Sequence, residues 1–527
     1  MGRPARAGGD EVTAPLPGLD DVGRFRGAIA RQLGLHLDES KHAFLAEVLQ
    51  RRADAHTAST KVYLDHIDRF DRGDPHRARD EVRALAQELT IGETYFFRHH
   101  EQFQAFADVA LPARVAARAA DRTLRLLSAG CASGEEAYTL AIVVRERHPG
   151  ADWRIAIRAA DVNAAALERA AGARFSAWSL RETPPETQRR WFASEGREFV
   201  LDPSLRGLVT FDERNLADAG SDLWPPDFYD VIFCRNVMMY FTADEAQALV
   251  GRLTAALAPG GFLFLGHAET LRGLSNAFHL CHSHDTFYYQ RKDEVPGRDA
   301  VRAGESPPAV ATEARAPLTA PSPDLGWFHA VSDATSRIKA LVDRPPAAHA
   351  GAARTPPRGS PTAAGTALEL LKRERFSEAL SLLDDEAADH AADADALLLR
   401  AVLLTHGGQL ADAEAACARL LAIDELSAGA HYVLAQCRDA AGDRKAAREH
   451  DQAAVYLDPT FAMPRLHLGL MARRLGDRET AQRELEQAER LLSREEAARL
   501  LLFGGGFTRD SLIALCRAER MAAGGKT

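Results

Sequence analysis

The sequence predicts three folded parts in series: a small all-α domain, a Rossmann-like α/β sheet and an α-solenoid. Three observations predict this. Leu124–Ala141 reads as a short apolar run, a small-residue turn and a helix, the unit that opens a nucleotide-binding sheet. From Leu124 to about Arg291, apolar runs alternate with helical ones, as in a mostly parallel sheet covered on both faces. Towards the C-terminus Gly408, Gly442 and Gly476 stand thirty-four residues apart, as do Ala379, Ala413, Ala447 and Ala481. That period means stacked helix pairs of the tetratricopeptide kind, with Gly at the inter-helix turn and Ala where two helices approach closely.

The totals set limits. Apolar residues make up 46% and charged residues 27% of 527, a globular composition. A formal charge of −10 speaks against a nucleic-acid partner. The six cysteines include no CxxC pair, which points to reduced thiols in a cytoplasmic protein. The first fifteen residues lack the apolar centre of a signal peptide, and no run of eighteen apolar residues suggests insertion into a membrane.

Taken in order, residues 1–20 form a Gly/Pro-rich tail expected to be disordered. Residues 21–88 show helical spacing throughout, with Phe25, Ile29 and Leu33, then Phe44, Leu45, Val48 and Leu49, then Val62, Tyr63 and Ile67. Lys41, Arg51, Arg52 and Lys61 make parts of this domain basic: a solvated face, or a docking surface for an acidic helix. The α/β domain is expected over 89–292. Its first stretch, Leu89–Arg98, carries three consecutive aromatics, with Thr94 and Arg98 spaced to share one side of a helical turn. His99 and His100 read as surface or capping groups, because no third metal ligand is evident. Candidate strands are Leu124–Ser128, Arg154–Ala160, Leu208–Asp212, Val231–Cys234, Gly261–Leu265 and Thr286–Gln290. Candidate helices are Glu135–Arg147, Ala164–Ala171 and Asp244–Leu257. Over about 173–207 the alternation fails, and a partly antiparallel inserted subdomain is expected, touching substrate or covering the sheet edge.

Residues 293–363 hold eleven of the twenty-five prolines and read as an extended linker, with one helical island at Gly326–Val342. Repeats are expected over 364–495, the first of them degraded, and a capping tail over 496–527.

Ligands in such a sheet lie beyond the carboxyl ends of its strands. That rule gathers the 130–136 loop, Asp161, Asn215–Leu216 and Arg235–Asn236 into one site. The loop is not GxGxxG, and two glutamates follow it. Carboxylates at a helix start repel a pyrophosphate and suit a ligand with hydroxyls and positive charge. S-adenosylmethionine is such a ligand. Asp161 is placed to accept from ribose hydroxyls, or simply to cap the next helix.

Six stretches carry a family resemblance: LTIGETYFFRHHEQF (89–103), LLSAGCASGEEAYTLA (126–141), AADVN (159–163), NL (215–216), FYDVIFCRNVMMYF (228–241) and APGGFLFLGHAETL (258–271). In this order they resemble the CheR-type chemoreceptor glutamate O-methyltransferases, which implies a class I methyltransferase sheet. The resemblance places donor binding on Thr94, Arg98, Glu136, Asp161, Asn215, Leu216, Arg235 and Asn236, and sets Arg98 and Tyr240 beside the transferring methyl. Glu135 is left to the helix start, and Cys131 becomes a small turn residue. The implied reaction consumes S-adenosyl-L-methionine and yields S-adenosyl-L-homocysteine and a glutamate methyl ester. The implied partners are the cytoplasmic helices of methyl-accepting chemoreceptors, with a further peptide or helix for the repeats. A glutamate is already ionised near pH 7, so no general base is required, and no metal is needed because the sulfonium is its own leaving group. The chain departs from the family in three places. Gly92 stands where asparagine is usual. Val48 stands where an arginine often extends the basic docking face. The turn at Ser194–Arg197 is shorter than in members tethered to a receptor's C-terminal peptide. Those departures keep a second reading open, a donor-binding scaffold that recruits partners through its repeats.

Overall fold

The computed structural model describes residues 17–37, 41–69, 75–90, 92–147, 150, 152–293, 366, 370, 376–385, 393–505 and 507–524. The chain divides into two compact units, Met1–Glu269 with Ala277–Val295, and Thr270–Asn276 with Pro296–Thr527. Most of the expected N-terminal tail, the linker and its helical island lie outside the described residues.

The first unit opens with four helices, α1 (Leu19–Leu33), α2 (His42–Ala55), α3 (Thr60–Ile67) and α4 (Pro75–Leu89). Their apolar stripes meet in one core around Phe25, Ile29, Val48, Leu49, Tyr63 and Leu64. Val48 is fully buried in that core, where the helical spacing puts it, so a guanidinium there would displace core packing rather than extend a docking face; Phe44 and Val62, counted in the same spacing, are exposed instead. The basic face is also thinner than the composition suggests. Arg51 is bonded to Glu88 at 2.9 Å, and Arg52 to the buried Glu81 at 2.6 Å.

Next come α5 (His100–Ala105) and α6 (Leu111–Ala117), joined by a π-helical turn over Phe106–Ala110. They lead into a seven-stranded sheet of β1 (Thr123–Ala129), β2 (Arg154–Asp161), β6 (Val209–Glu213), β7 (Tyr229–Cys234), β8 (Leu257–Leu265), β9 (Phe278–Ser283) and β10 (Thr286–Arg291). The order is β6-β2-β1-β7-β8-β10-β9, with the first five strands mutually parallel, β10 antiparallel to β8 and β9 antiparallel to β10. The helices α7 (Glu135–Arg147), α8 (Ala164–Gly172) and α11 (Ala243–Ala256) match the expected ones to within two residues. Edge strand β9 is absent from the expected set, because His279, His282 and Ser283 break its apolar alternation. Strand β8 starts at Leu257 rather than Gly261, running through Pro259 and Gly260, residue types that ordinarily mark a turn.

The insert is a three-stranded antiparallel sheet ordered β3-β5-β4, from β3 (Arg174–Ser176), β4 (Phe192–Glu195) and β5 (Glu198–Leu201). Helix α9 (Pro185–Trp191) starts at the second proline of the Thr-Pro-Pro break. A single turn, α10 (Pro203–Arg206), capped by the Asp202 side chain, leads back to the main sheet. The insert buttresses the segment that carries Arg98. Phe96 stands edge-on between Phe175 and Phe192 at 4.8 and 5.0 Å, and its N–H donates to the Ser179 carbonyl at 2.9 Å.

In the second unit, helix pairs 394–406/410–423, 428–440/444–457 and 462–474/478–492 follow the 34-residue period. Gly408, Gly442 and Gly476 take φ of 74°, 82° and 79°, a left-handed turn in which a side chain is strained. Ala379, Ala413, Ala447 and Ala481 are all fully buried, so the period marks close helix contact. Of the degraded first repeat, the structure describes helix Phe376–Asp385. The tail forms helices Ala497–Phe503 and Arg509–Gly524. No described helix of the chain is long and apolar enough to cross a membrane.

The repeats bury a charged cluster. His467 lies 2.7 Å from Asp451 and 3.2 Å from Asp439, and all three are buried. Burial alone would lower the His467 pKa, but the two aspartates hold it up at about 9. A histidine whose folded pKa lies above its free value stabilises fully below pH 6.5 and loses that contribution as the pH rises through about 9. The contribution of this histidine to the stability of the unit is therefore expected to fall between those limits. His467→Gln should flatten that slope in melts of the full chain followed against pH.

Candidate active site

The loop after β1 is built to admit a ligand close to backbone. Gly130 has φ 77°, and a Cβ there would lie 2.4 Å from Val237 Cγ2. Gly134 has φ 91°, and a Cβ there would meet Ala170 at 2.8 Å. The N–H groups of Gly130 and Cys131 donate to the Ala160 carbonyl at 2.8 and 3.1 Å, which pins the loop to the end of β2. Cys131 is buried and burial pushes its thiol pKa well up, so it is no nucleophile. Glu135 accepts from Ser133 Oγ at 2.7 Å in the first turn of α7, in keeping with a helix-start role.

Asp161 ends β2. Its Oδ2 accepts the Ala132 N–H and its Oδ1 the Asn163 N–H, each at 2.8 Å. Burial pushes its pKa up, against the pull of these N–H groups. The cap of α8 is Asn163, whose Oδ1 accepts from Ala166 N at 3.0 Å, so capping is not the task of Asp161.

Two adjoining hollows open at this edge. The first is about 810 Å³ and mostly apolar. Leu33, Leu35, Leu37 and Leu89 line it with Asp161, Asn215 and Leu216. The second is about 880 Å³ and more polar, with Thr94, Tyr95, Arg98, Glu136, Arg235 and Met239 in its wall. Gly130, Ala132, Asn236 and Tyr240 belong to both, so Tyr240 stands where they meet.

The polar hollow has fixed electrostatics. Arg235 is buried, donates to the Arg98 carbonyl at 2.6 Å and to Glu136 Oε2 at 3.3 Å, and lies over the Phe103 ring at 5.3 Å. Burial lowers its pKa, and the Glu136 charge opposes that. Glu136 also accepts from Ser128 Oγ at 2.8 Å, and burial raises its pKa against Arg235 and Ser128. Among the described residues, Arg235 Nε is buried without a hydrogen-bond partner, an unspent donor. Arg98 is half-buried, and its Nη1 donates to the Glu93 carbonyl at 3.0 Å.

All nine residues selected from the sequence line one or other hollow. Two expectations change in detail. Thr94 and Arg98 share a hollow but not a helical turn: the segment is irregular, with Phe97 and His99 at φ 58° and 60°, because Phe96 and Phe97 both turn into the core. His100 is exposed, as expected, whereas His99 at the N-cap of α5 is half-buried and makes no side-chain cap. Its ring lies 4.1 Å from that of His267, and burial with the neighbouring His267 and Arg235 lowers its pKa to about 3. Asn215 lines the apolar hollow while its amide serves structure, donating to the Gln32 carbonyl at 3.1 Å and accepting from Ala217 N at 2.9 Å. Sequence reasoning missed the leucines of the helical domain. Leu35 bridges to Phe241, and the His36 N–H donates to the Tyr240 carbonyl at 2.6 Å, so the helical domain walls the site. No local pattern announces that contact across two hundred residues.

An apolar slot rimmed by a carboxylate suits a flat base with a ribose. A neighbouring hollow with a fixed guanidinium–carboxylate pair suits an amino acid zwitterion. Together they fit S-adenosylmethionine. Among the described residues, no group of three His, Cys, Asp or Glu side chains is placed to hold a metal ion.

Comparison with known proteins agrees. The family described as CheR methyltransferase, SAM binding domain, matches residues 92–287. Chemotaxis protein methyltransferase 2 of Vibrio cholerae is 31% identical over 264 residues, 49% of this chain and 88% of its own length. The probable biofilm formation methyltransferase WspC of Pseudomonas aeruginosa is 28% identical over 415 residues, 79% of this chain and 87% of its own. Among solved structures, a thermophilic TPR protein of Thermus thermophilus overlays 31% of this chain and 89% of itself, at 21% identity and a TM-score of 0.23.

Proposed function

The chain belongs to the CheR methyltransferase family, and on that premise we propose that it methylates glutamate side chains on the cytoplasmic helices of methyl-accepting chemoreceptors. The observation that carries this reading is Tyr240 at the junction of the two hollows, with Arg98 in the wall of the polar one.

When bound, S-adenosylmethionine supplies an electrophilic methyl: a carboxylate oxygen forms a bond to that carbon, the C–S bond breaks, and the electron pair stays on the sulfur of S-adenosylhomocysteine. The chain's own task is placement and exclusion of water. In our reading Asp161 holds the ribose hydroxyls, and Leu216 and the helical-domain leucines cover the base beside Asn215. Glu136, Thr94, Arg235 and Asn236 hold the amino acid end. Arg98 steadies the acceptor carboxylate in its ionised form, and Tyr240 aligns it with the methyl. Arg98→Ala and Tyr240→Phe are expected to lower turnover by about 10- to 100-fold, more than they lower donor affinity. Steady-state rates beside donor calorimetry check this, and equal losses in both quantities would remove the two residues from the acceptor side.

Gly92 lines the apolar hollow, and a Cβ added there meets nothing within 4 Å. Restoring the family's asparagine should therefore fit without strain and add one hydrogen bond to the donor. Gly92→Asn is expected to tighten donor binding by about 0.5–1.5 kcal/mol, or roughly two- to twelvefold by calorimetry.

The reading as a whole is tested with radiolabelled donor and purified receptor cytoplasmic domains. Base-labile label on receptor glutamates supports it. Donor binding with no label on any receptor would favour the scaffold reading. The repeats are proposed to bind a partner helix or peptide and so raise the local concentration of acceptor.

A further inference from the structure

The strands β7 and β8 lie side by side and end together, with Cys234 paired to Leu265. Beyond that point the ladder stops, and the backbone N–H groups of both strand ends have no strand to donate to. A single buried side chain takes them. Glu269 is 4% exposed, and its Oε2 accepts from Asn236 N at 2.7 Å and Gly266 N at 2.8 Å. Its Oε1 accepts from Val237 N at 2.8 Å. Met239 N lies farther from the same oxygen, at 3.4 Å.

The segment held this way is the one that forms the junction of the site. It begins at Arg235, passes through Asn236 at φ 58°, and reaches Tyr240. Asparagine is among the few residues besides glycine that take this left-handed conformation readily, and here its backbone N–H is fixed by Glu269. The clasp also explains Gly266: a Cβ there would lie 2.7 Å from Glu269 Oε2 and 2.9 Å from Asn236 N. Two residues far apart in sequence are thus shaped around one carboxylate.

We propose that Glu269 is the positioning residue of the methyl-transfer site, setting the 235–240 segment so that Asn236 and Tyr240 meet donor and acceptor. A carboxylate suits the task because it only accepts, whereas glutamine would turn an N–H₂ group towards backbone donors. The proposal rests on the reading of this cleft as the methyl-donor site.

The test is made on the full chain. Hydrogen exchange in the parent protein should show the amides of Asn236, Val237 and Gly266 protected, with faster exchange in Glu269→Gln. At a temperature well below its melting point, Glu269→Gln should bind donor with unchanged stoichiometry. Its turnover per donor-binding site should fall by about 10- to 100-fold. Glu269→Asp, which keeps the charge on a shorter arm, should fall between the two. Gly266→Ala, which pushes on the clasp from the other side, should repeat the split if Glu269→Gln does not fold. A merely structural role would lower the melting point and leave turnover per site within about twofold of the parent, and that result overturns the proposal. So would rapid exchange of these amides in the parent. If the parent bound no donor, the methyl-donor reading would fail instead, with the protection pattern still deciding whether the clasp exists.

Discussion

Asp161→Ala is expected to weaken S-adenosylmethionine binding at least about a hundredfold, a loss of roughly 2.7 kcal/mol. Two costs combine. In the proposed reading the carboxylate accepts from the donor's ribose hydroxyls, and hydrogen bonds to a charged group are worth about 1.5–3 kcal/mol each. It also braces the glycine loop, because Oδ2 holds the Ala132 N–H beside the shared wall of both hollows. With the carboxylate gone, the Ala132 and Asn163 N–H groups lose their acceptors and Ala132 loses support for its φ of 47°. Asp161→Asn keeps one acceptor oxygen and should lie between alanine and the parent. Calorimetric titration with donor and with product checks the pair, and binding within about tenfold of the parent in Asp161→Ala would place the ribose elsewhere.

The second large effect is on stability, at the far end of the sheet. Asp230, near the start of β7, is fully buried. Its Oδ1 accepts from Arg114 Nη2 at 2.9 Å and Arg118 Nε at 2.7 Å, and its Oδ2 from the Arg125 N–H at 3.0 Å. The one carboxylate ties α6 to β7 and β1. Asp230→Ala leaves Arg114, itself 8% exposed at its side chain, as a buried charge without a counter-ion. Removing one partner of a buried pair typically costs about 3–5 kcal/mol, a large fraction of the stability of most domains. Denaturant unfolding of the full chain should show the first unit's transition moved down by that amount, with Asp230→Asn less affected. A loss under about 1 kcal/mol would mean that water reaches Arg114.

Much of the site could be read from the chain because strand-end residues in a parallel sheet are forced to one edge. Asp161, Asn215 and Arg235 each lie at or just beyond the end of an apolar strand, so finding the strands found residues that line the two hollows. The 34-residue period was as plain, since close helix contact demands Ala and a left-handed turn favours Gly at fixed spacing. What escaped shares one trait: its partner lies far away in sequence. Leu35 against Phe241, and Glu269 against Asn236, are contacts between segments that no local pattern connects.

The amino-acid order by itself determined the succession of helical domain, parallel sheet and solenoid, and the set of side chains delivered to the ligand edge. Those follow from hydrophobic period, glycine turns and the handedness of strand crossovers, all of which are local or nearly so. Tertiary structure alone decided that the helical domain's leucines wall the donor cleft. It also decided that Arg235 turns inward to Glu136, and that a carboxylate beyond β8 holds the loop beyond β7. Buried polar groups must be satisfied by whatever the fold brings within about 3 Å, and that pairing exists only once the chain has packed.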